Sequence, residues 1–168
     1  SLWSQLLAQA ICGPLKGSRL AMLPLSQTTW ADWRRLHPGT VVLSTNTGSA
    51  RPYLHNPYDG YEESEALMFP VAFRAAGFHP KERVLGLKLG GESKAYPFVE
   101  LGKAGSAIAD HIGGMPVTIR FDKTARRATA HDAEGRQLPA VVGFWFAWHA
   151  FHPTTAVFRA GATGKAAD

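Results

Sequence analysis

Apolar residues in the second half of the chain fall in short, strand-like runs that end at glycine turns. Residues 84–89 lead into Gly90-Gly91, and residues 93–98 resume the pattern beyond it. Two such runs around a two-glycine turn predict a β-hairpin. Further runs with the same character, each bounded by a turn, are residues 107–112, 116–121 and 127–131. The pattern therefore predicts a mainly antiparallel β-sheet.

Two tryptophan-bearing segments match in register without a gap. Residues 23–42 and 138–157 share Leu-Pro, five residues, Trp, two residues, Trp, and then His-Pro, Thr and Val at constant spacing. These are eight identities in twenty positions, where chance predicts about one. Self-similarity at a fixed spacing is typical of repeated units. We therefore interpret the chain as an internal duplication.

Each copy is predicted to contain one short helix. Its two tryptophans lie three residues apart, and an apolar residue follows three further on, which places all three on one helix face. The helices should end at His37 and His152, since the residue before a proline is disfavoured in the α conformation. We expect all four tryptophans to be buried. We also expect a strand after each helix, at residues 40–44 and 155–158.

On this interpretation the chain has four regions that form one compact unit. Residues 1–46 are a truncated first repeat, and residues 47–82 are a connecting loop region. Residues 83–160 are the second repeat, and residues 161–168 are a flexible tail. The expected fold class is α+β, with mainly antiparallel β-hairpins and short Trp-bearing helices.

The first copy has few residues ahead of its tryptophan segment, whereas the second has about four strands. Trp3 lies close to the start, although large apolar residues rarely open a native chain. We therefore expect the chain to be the C-terminal part of a longer protein. An incomplete sheet has an open edge, which favours self-association.

The composition excludes several kinds of protein. Cys12 is the only cysteine, so the chain has no internal disulfide and no cysteine-based zinc site. No apolar run approaches the ~20 residues of a transmembrane helix. The net charge is +5, but nucleic-acid binding is not expected, since the basic residues lack interleaved aromatic residues. That basic group is Arg120, Lys123, Arg126 and Arg127.

His37 and His152 occupy matching positions at the two predicted helix ends. A histidine there can donate to free carbonyls, and we interpret both as capping or packing residues. The alternative is a metal site shared by the two copies. The other histidines lack the spacing of a helical metal site, so the sequence assigns no metal ligands and identifies no cofactor.

Six sequence blocks stand in order along the chain: SLWSQ, GPLKGSRLAMLP, TTWADWRRLHP, NPYDGYEES, ERVLGLKLGGESKAYP and FWFAWHAFHP. In these blocks the chain resembles the bacterial domain-of-unknown-function family 3179 over almost its whole length. The resemblance implies a duplicated, mostly β protein. Relatives often carry an export signal, which favours a periplasmic or extracellular location over a cytoplasmic one.

The resemblance also implies a Cys-Pro-x-Cys motif in the front half of relatives, after a strand like residues 116–121. Here that strand continues as Arg120-Phe121-Asp122, without cysteine. Thiol or metal chemistry of full-length relatives is therefore not assigned to these residues.

The best candidate for a binding site is the loop at residues 53–63, which concentrates aromatic and polar side chains. Its turns at Asn56-Pro57 and Asp59-Gly60 can hold those side chains in fixed directions. The alternative is a structural crossover whose tyrosines pack on the sheet. The predicted ligand-binding residues, for a small molecule, are Tyr53, His55, Asn56, Tyr58, Asp59, Tyr61 and Glu62.

We predict a non-catalytic binding or structural module of an envelope-associated protein, because standard enzyme motifs are absent. One alternative is part of an enzyme whose active site needs a missing N-terminal half. Another is a metal-binding domain built on histidines. Sequence upstream of Ser1 and elemental analysis for bound metal separate these alternatives.

Overall fold

A computed structural model describes residues 1–73 and 76–161, in which short strands and three short helices alternate. Most of the predicted tail, residues 162–168, lies outside the described residues. The helices are α1 (Trp30–Leu36), α2 (Phe98–Ala104) and α3 (Trp145–Phe151). The strands are β1 (Leu2–Ser4), β2 (Gln9–Cys12), β3 (Arg83–Leu89), β4 (Glu92–Pro97), β5 (Ala107–Ile112), β6 (Met115–Asp122), β7 (Arg127–His131), β8 (Gln137–Leu138), β9 (Val141–Phe144) and β10 (Ala156–Val157).

The strands form one two-stranded and two four-stranded sheets. Their orders are β1-β2, β10-β4-β3-β9 and β5-β6-β7-β8. Every pairing of these strands is antiparallel except that of β10 with β4. The α+β class and the predicted hairpins β3–β4 and β5–β6 are therefore confirmed.

The main core joins the two four-stranded sheets. Along β6 the side chains of Val117, Ile119 and Phe121 are buried, whereas Arg120 between them is exposed. This alternation follows from the two-residue period of a strand with one face on the core. The residues that pack against these three from the other elements include Leu85, Leu87, Tyr96, Leu101, Ile112, Ala128 and Ala130.

Helix α2 was not predicted from the sequence. Its position depends on burial of Leu101 and on the carboxylate of Glu100, which is also buried. That carboxylate accepts from Lys103 Nζ at 2.9 Å and from the backbone N–H of Ala160 at 3.0 Å. The helix is therefore stabilised both by the hydrogen bond from Lys103 within it and by contacts with other parts of the chain, namely the N–H of Ala160 and the core around Leu101.

A polar bridge joins the two four-stranded sheets through Asp110 of β5. Its Oδ2 atom accepts from the Tyr96 hydroxyl at 2.8 Å and lies 2.6 Å from Lys94 Nζ. Burial raises the pKa of Asp110, but the bonds from Lys94, Tyr96 and the His111 N–H outweigh it and hold the pKa below 3.8. Burial and the neighbouring carboxylate raise the pKa of Tyr96, so its hydroxyl keeps its proton.

The substitution Asp110→Asn should lower the free energy of unfolding by about 1–2 kcal/mol at neutral pH, measured by urea denaturation. The carboxylate is favoured in the folded chain, so its contribution is present above the ordinary pKa of 3.8 and is lost as the pH falls through the lower folded value. The difference between parent and variant should therefore disappear in acid. A difference that persists there, or an equal effect of Asp59→Asn at an exposed carboxylate, would contradict this account.

The two tryptophan segments have the same local geometry. We call residues 23–43 the first tryptophan module and residues 138–158 the second. In both, a seven-residue helix ends at a histidine whose backbone N–H donates to the carbonyl of the second tryptophan. The histidine ring lies on the indole, with centroids 4.1 and 4.0 Å apart. The indole N–H donates to Thr40 Oγ1 at 2.9 Å or to Thr155 Oγ1 at 3.0 Å.

The modules differ in what surrounds them, and two predictions for the first module are wrong. Trp145 and Trp148 are 3% exposed, but Trp30 is 48% exposed and Trp33 is half-buried. The predicted strand at residues 40–44 is absent, whereas β10 forms at the equivalent place in the second module. The reason is that β10 pairs with β4, while no described strand lies beside residues 40–44.

The N-terminal hairpin leaves two of its apolar side chains exposed. Cys12 is exposed, although a lone thiol is more often buried. Trp3 is 36% exposed. Both belong to the β1–β2 hairpin, which is too small to bury its own side chains.

Candidate functional site

An apolar cavity of about 440 Å³ lies between the N-terminal residues and the sheet that carries the second module. Cavities of this size, apolar with a few polar groups, are the usual sites for small molecules. One wall is formed by Leu6, Leu7, Ala8, Arg19, Leu20 and Met22. The other is formed by Gly86, Leu87, Lys88, Leu89, Leu138, Pro139, Ala140, Val141, Trp148 and His152.

The N-terminal wall depends on a chain reversal after β2. The backbone N–H of Ala10 donates to Ser18 O at 2.9 Å, and that of Leu20 donates to Ala8 O at 2.8 Å. Gly17 has φ +90°, a conformation that favours glycine. The reversal places Arg19 and Leu20 near residues 6–8, and all of them line the cavity.

The opposite wall is built on Gly86 of β3. A Cβ atom at this position would lie 2.2 Å from Cε3 of Trp148, so only glycine allows the indole to pack so closely. The His152 ring stacks on the same indole and is buried. Burial lowers the pKa of His152, and the nearby charge of Lys88 lowers it further. The ring is therefore neutral at physiological pH.

Among the described residues, the charged side chains that line this cavity are all basic. Arg19 and Lys88 lie at its surface and are exposed. Within residues 1–73 and 76–161 neither takes part in an ion pair. The cavity thus combines apolar walls with a positive rim.

A second cavity, also of about 440 Å³, lies at the loop that the sequence singled out. Five of the seven predicted ligand-binding residues line it: Asn56, Tyr58, Asp59, Tyr61 and Glu62. Tyr53 and His55 lie outside it; the hydroxyl of Tyr53 is 2.6 Å from Thr47 Oγ1, and His55 is exposed. The structure therefore brings together five of the seven residues of the predicted site.

Some polar side chains of this loop form hydrogen bonds and ion pairs that stabilise its conformation. Glu62 accepts from Arg83 Nη2 at 2.7 Å and lies 3.7 Å from Arg126 Nη2. The hydrogen bond from Arg83 lowers the pKa of Glu62, so the carboxylate is ionised. Asn56 Oδ1 accepts from the N–H of Tyr58 at 3.0 Å, a local turn bond. Asp59 remains exposed at the surface.

Buried Lys81 anchors the residues after this loop. Its ammonium group donates to the carbonyls of Ser64 and Ala66 and lies 3.8 Å from the centroid of the Tyr61 ring. The side chain is 3% exposed. A buried ammonium group requires such partners, because isolated burial of a charge is costly. Lys81 therefore fixes the backbone on which the loop cavity is built.

A family model described as a protein of unknown function, DUF3179, matches residues 1–138. The chain belongs to this family. No curated protein and no solved structure matches it. In this DUF3179 chain no helix among the described residues has the length and apolar character needed to cross a membrane.

The described residues of this DUF3179 member contain no group of three or more His, Cys, Asp or Glu side chains arranged to hold a metal ion. His37 and His152 belong to separate modules, each stacked on its own tryptophan. At each helix end the backbone N–H, not the ring, donates to the helix carbonyl. The geometry therefore gives the histidine-based metal site no support.

Sequence reasoning missed the first cavity of this DUF3179 chain. Its walls come from segments more than sixty residues apart in sequence, such as Leu20 and Gly86. The one available signal was the apolar loop around Leu20 and Met22, which forms no strand or helix. The sequence match between the two tryptophan segments drew attention to Trp148 and His152, but only packing shows that they line a cavity.

Proposed function

We propose that this DUF3179 chain is a non-catalytic binding module that holds a small anionic amphiphile. The apolar part of the ligand would lie between Leu20 and Trp148, and its anionic group would lie at Arg19 and Lys88. The observation that carries this proposal is the apolar cavity whose charged lining side chains are all basic. A carboxylate gains charge-assisted hydrogen bonds there, while its chain leaves water.

The chemistry of the lining supports binding rather than catalysis. No described Ser, Thr, Cys, Asp or Glu side chain lines the first cavity. His152 is stacked and buried, and it has no carboxylate partner among those residues. A hydroxyl, thiol or carboxylate nucleophile, as many forms of covalent catalysis use, is thus missing from the described lining.

Isothermal titration calorimetry with decanoate, decanol and decyltrimethylammonium tests this proposal. Decanoate should bind about tenfold more tightly than decanol, because a carboxylate close to two cations gains on the order of 1.4 kcal/mol. The ammonium compound should bind least. Lys88→Gln should remove most of the preference for decanoate, whereas Lys123→Gln, at an exposed cation outside this cavity, should leave it unchanged. Equal affinity for decanoate and decanol would refute the anionic part of the proposal.

The loop cavity is our second candidate, for a small molecule of a different kind. The observation in its favour is that Asn56, Tyr58 and Asp59 line it with side-chain groups open to solvent. Aromatic rings beside a carboxylate suit a cation or a polyol. The same titrations distinguish the two cavities, because Asp59→Asn should weaken binding of the ammonium compound only if the loop cavity takes it.

A further inference from the structure

We infer that the exposed tryptophan face of the first module is a docking surface for a β-sheet of another polypeptide, built like the β3–β4 hairpin. This inference goes beyond the proposed ligand site. It starts from the second module, which has the same local geometry and already lies on such a sheet.

The second module contacts its sheet in two ways. The indole of Trp148 packs on Gly86 of β3, and Trp145 packs with Val84 and Ala95. Beside them β10 pairs in parallel with β4, and the N–H of Phe158 donates to Ala95 O at 2.9 Å. The second module is therefore held on its sheet both by the apolar face of its helix and by the pairing of its strand with the sheet edge.

The first module exposes the equivalent positions. Trp30 corresponds to Trp145 and is 48% exposed instead of 3%. The residues that correspond to β10 and Phe158 are Val41, Val42 and Leu43, which are 91%, 66% and 96% exposed. An exposed apolar patch beside unpaired backbone is typical of an interaction surface.

The exposure of the two modules differs at the first tryptophan and at the residues after the histidine, whereas Leu36 and its equivalent Phe151 are similarly exposed, at 42% and 43%. The module is also fixed in place from its other side, where the N–H of Thr29 donates to Ala125 O at 3.2 Å and Asp32 pairs with Arg127 at 3.1 Å. The tryptophan face is thus presented on an anchored helix.

The second module defines the chemistry of the occupant. The occupant needs a strand with a glycine that can lie under the Trp33 indole. Next to that strand it needs a second strand with a free edge, which can pair in parallel with residues 41–43. A second copy of this chain does not offer that arrangement, because its β3–β4 hairpin is covered by its own second module. We therefore assign the occupant to a different polypeptide, one that presents such a hairpin uncovered.

The test uses a synthetic peptide with the sequence of residues 82–98 and an added cysteine at each end, closed by a disulfide, and a matched peptide in which Gly86 is replaced by valine. Closure is needed because isolated hairpins are only marginally stable in water. Amide NMR of the whole chain should show shifts at the Trp33 indole N–H and at residues 41–43 with the glycine peptide. The valine peptide should cause none, because its side chain would clash with the indole.

Two variants of the protein locate the interaction. Val42→Lys should weaken binding of the glycine peptide by at least about tenfold. Leu54→Lys, at a fully exposed leucine in a different loop, should leave it unchanged. The inference is overturned if the two peptides bind alike, if a peptide shown by its own NMR spectrum to be folded does not bind, or if both variants weaken binding equally. Sedimentation that shows a dimer abolished by Val42→Lys would overturn it in favour of a second copy.

Discussion

Gly86→Val should lower the free energy of unfolding by about 3 kcal/mol, near the upper end of what overpacking a core costs. A Cβ atom at this position would lie 2.2–2.5 Å from three ring carbons of Trp148. The indole cannot move away without breaking its hydrogen bond to Thr155 and its stacking on His152. Urea denaturation followed by tryptophan fluorescence measures the loss.

Gly143→Val is the matched control for this prediction. Gly143 lies on the neighbouring strand β9, opposite Val84, and no described residue beyond its chain neighbours has an atom within 4 Å of its Cβ position. This change should alter stability by less than about 1 kcal/mol. Trp148→Ala in the Gly86→Val background should recover part of the loss, because it removes the clash. Equal effects of the two valine substitutions would show that β-propensity, not contact with Trp148, explains the glycine.

Lys81→Met should destabilise the chain by about 2 kcal/mol and release the loop that follows the predicted ligand site. Methionine has a similar length but leaves the carbonyls of Ser64 and Ala66 without the ammonium donor. Faster hydrogen exchange should therefore be concentrated in residues 61–66. Urea denaturation and hydrogen exchange with mass spectrometry measure the two effects.

Two controls accompany this substitution. Lys123→Met removes an exposed ammonium group and should change neither stability nor exchange. Asp59→Ala should be similarly mild, because the side chain is exposed. If Lys81→Met leaves exchange in residues 61–66 at the parental rate, the ammonium group does not anchor the loop.

Much of the second half of the fold could be predicted because its information is local. Glycine pairs bound the hairpins β3–β4 and β5–β6, and proline ends α1 and α3 at the expected histidines. The conformation of residues 40–44, in contrast, depends on whether a partner strand lies beside them, which the local sequence does not show. The sequence of the first module matches that of the second, yet a strand forms only where β4 offers a partner.

The candidate sites likewise combine features that the local sequence predicts with features that depend on distant contacts. The turns that shape the loop at residues 53–63 are visible in the sequence, and five of its predicted side chains line one cavity. The role of Lys81 was hidden, because its partners are backbone carbonyls, which every residue has. The first cavity was hidden as well, since it exists only where distant segments meet.

The late position of β9 and β10 in the sequence also determines the order in which parts of the chain can fold during synthesis. The β3–β4 hairpin can close soon after it leaves the ribosome, because its strands are adjacent in sequence. Its apolar face around Gly86 remains uncovered until residues 141–158 have been made, after the whole of the β5-β6-β7-β8 sheet. In that interval the nascent chain presents an open hairpin to any tryptophan-bearing helix nearby, and a chaperone or a rapid translation rate would limit mispairing.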